Sequence, residues 1–376
     1  MPSIPARTLL VLSLGLALLG CAGPQHGAAR GMAQQQQQQA DARAAALASS
    51  GYQPAESASL TLGLQQWIVE GETLPVNLSF ASSGRALPLI VYLPGLGETA
   101  QGGARWRQAW ARAGYAVLSL QALDADARAW SSDLARAADF KGLARAHQQP
   151  ALVRSRLQIL DAALAEARRR AAAGDSLWSR VDFDRMAVAA YDLGSQAALA
   201  GSGRFRAALV LSPLVPSEDE IAALRGPLLA ISSRRDGDPL GLLGSAAQRI
   251  QLFEQLPAGG KYLMNFGAAT HAQLAGAVGH EEAELFGDGM GGGRQQPSGG
   301  GRRQRGGGGG QGGTGMHAQA PGLQANPAGG QEAAVAIEGI SIAFLDAHLR
   351  GSAAAQAWLR HDAQTWLQGL AEWRQR

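Results

Sequence analysis

Three side chains suited to nucleophilic and acid–base work follow stretches that read as strands. Asp192 lies in Tyr191-Asp192-Leu193-Gly194, Asp236 in Arg234-Arg235-Asp236-Gly237-Asp238-Pro239, and His271 just after Gly267-Ala268-Ala269-Thr270. An aspartate is ionised near neutral pH and needs no base to activate it. It can attack an sp³ carbon bearing a leaving group, or an epoxide ring. The resulting alkyl-enzyme ester is then hydrolysed by water that His271 activates. The alternative for the same residues is a silent pair, Asp192 beside a protonated His271, because a carboxylate next to an imidazole favours its charged form.

Such chemistry needs elements that hold the three groups together. Met186–Ala190 is a short apolar run suited to a strand covered on both faces. An Ala-rich helix start follows Gly194. Small residues at Ala190 and Gly194 flank Asp192 by two positions on each side, the frame of a sharp strand-to-helix turn that presents its central side chain. Ser195 is one step into the helix and points along it. Further strands are expected at Leu60–Glu70, Leu74–Ala81, Ala86–Leu93, Tyr115–Leu120, Arg206–Ser212, Leu228–Ser232 and Tyr262–Phe266. Between them, helices are expected through Ala113, with Trp106 and Trp110 on one face, and over Leu152–Ala173, with Leu157, Leu160, Leu164 and Ala167 inward. Strands alternating with helices predict an α/β fold, a mostly parallel central sheet with helices on both faces. Open sheets of this kind build their sites beyond the carboxyl ends of the strands, where Asp192, Asp236 and His271 all fall.

The glycine-rich turn Pro94-Gly95-Leu96-Gly97, the frame around Asp192, Asp236 with Asp238-Pro239, and His271 occur in that order. On these motifs the chain resembles the α/β-hydrolase superfamily, in particular bacterial lipoproteins of the dienelactone-hydrolase-like kind, over residues 57–285 and the carboxy-terminal helices. The resemblance implies that Asp236 orients His271, with Asp238 as the alternative acid. It also implies an oxyanion hole from the backbone N–H groups of Leu96 and Leu193. Asp192 stands where the family's serine does, as in the haloalkane dehalogenases and epoxide hydrolases of the superfamily. Two features depart from those enzymes: Leu193 replaces their tryptophan, and Pro213–Gly226 is too short for their cap domain. Pro94 stands where many relatives have histidine.

At the amino terminus, Arg7 precedes an apolar core Leu9–Leu19, too short to span a bilayer. It ends in Leu18-Leu19-Gly20-Cys21, which resembles the lipobox of bacterial lipoproteins. That resemblance implies a signal peptide over residues 1–20 and lipidation of Cys21, and Ala22 points to the outer membrane, facing the periplasm. Cys21 is the only cysteine, so no disulfide forms within the chain. Residues 21–56, with glutamines from Gln34 to Gln39, read as an unstructured tether.

Residues 286–331 read as a disordered Gly/Arg/Gln-rich insertion in the domain 57–285, which residues 332–376 complete as helices, Ala336–Leu349 and Ala353–Trp373. The insertion lacks the Gly-Lys-Ser/Thr ending of a phosphate loop. Its few arginines and the net charge of +3 give no basis for a nucleic-acid partner. His280, His317, His348 and His361 show no metal-ligand spacing, and no metal or cofactor is expected. Glu98 reads as a helix cap or a solvated residue.

The expectation is therefore an envelope protein held by a lipid and acting on a small molecule. Asp192, His271 and Asp236 would hydrolyse a small ester, epoxide or halide-like substrate. The other reading is a non-catalytic protein of the same fold with a binding or structural role. The sequence carries no indication of oligomeric state.

Overall fold

The computed structural model describes residues 24–54, 60–61, 63–237, 245–276 and 327–376. The expected signal peptide, Cys21, Asp238 and most of the Gly-rich insertion lie outside them.

A ten-stranded sheet forms the centre, in the order β1-β3-β5-β4-β6-β7-β8-β9-β10, with β2 also paired to β3. β1 (Leu60–Thr61) and β2 (Leu64–Val69) run antiparallel to β3 (Glu72–Ala81). β2 and β3 are joined through Glu70 and Gly71, both at positive φ, as a tight hairpin turn requires. β3 pairs antiparallel with β5 (Ala116–Leu120). From β5 onward the strands are parallel: β4 (Leu87–Leu93), β6 (Val181–Tyr191), β7 (Ala207–Leu211), β8 (Leu228–Ser233) and β9 (Lys261–Phe266). The expected α/β class with a mostly parallel sheet is what the structure has.

Side chains alternate across the sheet, so each strand feeds two cores. Ile90, Tyr92, Ala187, Ala189, Leu209, Leu229 and Ile231 face one of them. It is closed by α2 (Ala104–Arg112), α10 (His271–Ala275) and α11 (Pro327–Leu349). Leu89, Val91, Val188, Ala190, Val210 and Ala230 face the other, closed by α6 (Pro150–Ala172), α7 (Gly194–Ala200), α8 (Glu218–Ala223) and α9 (Ala246–Gln255). Trp106 and Trp110 are both buried beneath α2, and Trp110 donates its indole N–H to Ser341 on α11 at 2.9 Å.

Two expectations are corrected. Residues Pro24–Ser50 are a helix, α1, packed against α11, rather than an unstructured tether. The absence of large apolar residues suggested a stalk, but alanine is the best helix former and a small side chain packs closely. Ala40 and Ala44 are buried, the Leu47 carbonyl accepts from the Trp366 indole at 3.0 Å, and Tyr52 donates to Asp346 at 2.8 Å. α11 is apolar all round, with Ile337, Ile340, Phe344 and Leu345 buried, so it needs cover on the side away from the sheet. It begins at Pro327, inside the expected insertion, which runs to residue 331.

The second correction concerns the carboxy terminus. Helices α12 (Ala353–His361) and α13 (Ala363–Trp366) stop well before Trp373. Gly369, at φ 82°, breaks the helix, and β10 (Ala371–Gln375) pairs antiparallel with β9 and covers that edge of the sheet.

Candidate functional site

The carboxyl ends of β4, β6, β7, β8 and β9 meet at one place. The turn after β6 is as tight as its small residues suggested. Asp192 takes φ 51°, a left-handed conformation that a non-glycine residue adopts only when its surroundings impose it. A Cβ on Gly194 would come within 2.3 Å of the Leu93 carbonyl and 2.5 Å of the Pro94 carbonyl. One on Gly95 would lie 2.8 Å from the Tyr191 ring. Glycine at both positions lets the ends of β4 and β6 touch. Ser195 is used up inside the turn: its hydroxyl donates to the Asp192 carbonyl at 2.6 Å and accepts from Leu214 N–H at 2.9 Å.

The two oxygens of Asp192 have different surroundings. Oδ2 accepts from the N–H of Leu96 at 3.4 Å, and the N–H of Leu193 also acts on the carboxylate. Neighbouring amides of the β4 turn are engaged elsewhere: Gly95 N–H donates to Glu98 Oε2 at 2.7 Å and Gly97 N–H to the Asp126 carbonyl at 2.8 Å. Glu98 is thus a buried staple of the turn, not a helix cap. Oδ1 is buried without a hydrogen-bond partner and lies 3.8 Å from His271 Nε2. Burial pushes the Asp192 carboxyl above the ordinary carboxylate range, against the pull of His271, Arg249 and the two amides.

His271 opens α10 and is set by Thr270, which caps the helix reciprocally with Gln273. Its carbonyl accepts from Tyr191 OH at 3.0 Å. On the ring, Nδ1 is 2.8 Å from Asp236 Oδ1 and 2.9 Å from Ser212 Oγ, which leaves Nε2 facing Asp192. Burial disfavours the imidazolium, but the hydrogen bond to Asp236 and the charges of Asp192 and Asp236 outweigh it and hold the His271 pKa above its usual value. Asp236 is fully buried. That burial is overcome by His271, Arg249 and the Ser212 hydroxyl, and its pKa lies below the usual range. Asp236 also accepts from Ser232 at 3.1 Å. The structure therefore joins Asp192, His271, Asp236 and the amides of Leu96 and Leu193 at one point.

Two polar residues of the site were not singled out in the sequence. Ser212, at φ 49° on the end of β7, donates to Asp236 Oδ1 at 2.8 Å. Arg249, buried on α9, donates Nη1 to the Ser212 carbonyl at 2.7 Å and also to the Ser212 hydroxyl. That nitrogen is 3.8 Å from Asp192 Oδ1 and 3.9 Å from Asp236 Oδ1. Its Nε and Nη2 have no hydrogen-bond partner. One signal was available: Arg249 shares the buried stripe of Leu252, Phe253 and Leu256, a charge in an apolar row.

A helical segment after β5 covers the turn amides. α3 (Asp124–Ala127), α4 (Asp133–Arg136) and α5 (Phe140–His147) bring Ala129, Trp130, Leu143 and Phe140 against Leu96, Leu193 and Leu214. This cover is pinned by Asp126, which is fully buried. It receives Arg156 Nε at 2.7 Å and Nη2 at 2.9 Å and contacts His147 Nδ1 at 2.7 Å. The histidines outside the site are separate: His348 is half-buried, its pKa pushed down to about 4 by burial and Lys261, and His361 is on the surface. Among the described residues no group of three or more His, Cys, Asp or Glu side chains could hold a metal ion.

In comparisons with known proteins, no family model matches the chain and no curated protein matches it in sequence.

Proposed function

We propose that the protein is an envelope-anchored hydrolase of the α/β-hydrolase kind, with Asp192 as nucleophile, His271 as base and Asp236 as the residue that orients it. The observation that carries this reading is the inequivalence of the two Asp192 oxygens. Oδ2 accepts from the Leu96 amide, while Oδ1 has no partner and stands before His271 Nε2.

In the first step Oδ1 bonds to an sp³ carbon, and the halide or epoxide oxygen leaves with the electron pair of the broken bond. In the second, water gives a proton to His271 Nε2 and its oxygen adds to Cγ of Asp192. Negative charge then forms on Oδ2, beside the Leu96 amide, where one such donor is worth about 3 kcal/mol. Collapse breaks the Cγ–Oδ1 bond, and the departing alkoxide takes the proton from His271. With a serine nucleophile the hole would face a substrate oxygen. Here it faces the aspartate itself, as hydrolysis of an aspartyl ester requires. The first step also removes the negative charge that helps keep His271 protonated, so ester formation favours the neutral imidazole that the second step uses.

Turnover of halide, epoxide and ester panels in heavy-oxygen water, followed by mass spectrometry of the peptide containing Asp192, tests the mechanism. Label enters the Asp192 carboxylate if an ester forms there; turnover without label rules it out. For the anchor, the carrying observation is Leu18-Leu19-Gly20-Cys21. Cys21→Ala should release the protein from membranes of the expressing bacterium. Among the described residues no helix is long and apolar enough to cross a membrane.

One observation favours a second, non-catalytic reading: Asp192 is only 3% exposed. On that reading Asp192→Asn leaves the cellular role of the protein intact.

A further inference from the structure

We propose that Arg249 is a positioning residue: it supplies the countercharge for Asp192, the second buried carboxylate of the site, while Ser212 holds it away from the oxygen that reacts. This inference rests on the reading of Asp192 as the nucleophile.

A serine-based site of this architecture carries one buried carboxylate, the partner of its histidine. Here two buried carboxylates face the histidine, Asp192 and Asp236, both at most 3% exposed. Two anions and a single histidine leave a buried net negative charge whenever the histidine is neutral, as it must be to act as a base. Arg249 offsets one of the two charges and returns the site to the single negative charge of a serine-based one. Its guanidinium is fixed, permanently charged, and nearly equidistant from the two carboxylates, at 3.8 and 3.9 Å.

The manner of contact separates this from an ordinary ion pair. Three other arginines grip carboxylates through the Nε–Nη2 edge, Arg156 on Asp126, Arg169 on Glu166 and Arg204 on Asp161, each with two bonds of 2.6–2.9 Å. Arg249 does not. Its Nη1 is tied to the carbonyl and hydroxyl of Ser212, and its Nε and Nη2 grip neither carboxylate. A bidentate pair would occupy Oδ1 and stop it attacking. Held by Ser212, the arginine contributes charge and leaves Oδ1 without a hydrogen bond. The left-handed turn at Ser212 brings its hydroxyl to Asp236, His271 and Arg249 together. The other titratable groups gathered here are Glu98, the phenols of Tyr92 and Tyr191, and Arg107 beside Tyr92. Arg107 donates to Asn77, Ser79 and the carbonyls of Gln101 and Gly102, so the cations acting on Asp192 are Arg249 and, when protonated, His271.

The test uses the full chain with carbon-13 in its aspartate carboxyls, the Asp192 signal being identified by its loss in Asp192→Asn. In folded Arg249→Met the Asp192 carboxyl should titrate at higher pH than in the parent chain; titration at the same pH overturns the proposal. This readout needs no turnover, so it stands apart from the hydrolase reading, which the heavy-oxygen experiment decides. Should Arg249→Met fail to fold, the double variant Asp192→Asn/Arg249→Met should fold and melt within about 3 °C of Asp192→Asn alone. A double variant that is also unfolded overturns the proposal.

Discussion

His271 Nε2 and Asp192 Oδ1 stand 3.8 Å apart, beyond hydrogen-bond distance but close enough for each charge to stabilise the other. Each is anchored from its far side, His271 through Nδ1 to Asp236 and Asp192 through Oδ2 to a backbone amide. The gap is thus fixed by groups outside the pair.

The pair predicts a pH dependence. On the proposed mechanism the working base is neutral His271, and its folded-state pKa is raised. Turnover should therefore rise with pH along a limb displaced above the ordinary histidine range, read from kcat/KM against pH, which reports the free enzyme. A raised histidine pKa also contributes stability below the unfolded value, and that contribution is lost as pH rises through the folded one. Melting curves of the parent chain and His271→Gln should converge on the alkaline side of that transition.

Asp192→Asn should abolish hydrolysis, by at least about a thousandfold in kcat, while the chain stays folded. The Asp192 pKa is raised, so ionised Asp192 lowers stability at neutral pH. The amide variant should melt no lower than the parent chain, as followed by circular dichroism.

Asp126→Ala should destabilise the protein by about 3–5 kcal/mol, because it leaves the buried Arg156 without its carboxylate. Urea titration measures this. The same change frees the cover formed by α3 to α5, so Trp130 fluorescence should report greater solvent access before global unfolding.

Ala44→Glu, on the buried side of α1, should cost about 1–3 kcal/mol, whereas Gln35→Glu on its exposed side should cost almost nothing. Thermal melts of the two variants separate a packed helix from a tether, which would tolerate both.

Much of this site could be read in advance because its positions are tied to local backbone demands. Ala190, Gly194 and Gly95 are small where strands and turns touch, and His271 and Asp236 follow apolar runs that are strands. The residues that escaped notice act over distance. Arg249 sits on a helix that no chemical motif marks, and it reaches the site through Ser212 on a different element. α1 was misread for a related reason. Its packing is carried by Ala40, Ala44 and Leu47, and their value depends on an apolar α11 almost 300 residues further along. Likewise β10 is a strand only because β9 offers it a free edge.

The packing of α1 changes what an anchor at Cys21 would mean. Only residues 22 and 23 separate that cysteine from Pro24, the first residue of a 27-residue helix about 40 Å long. A domain on a loose chain samples every orientation above a bilayer. A domain fastened along such a strut presents one side of itself to the lipid. The carboxyl ends of the strands, where Asp192 and His271 lie, would then have a set height and heading relative to the membrane.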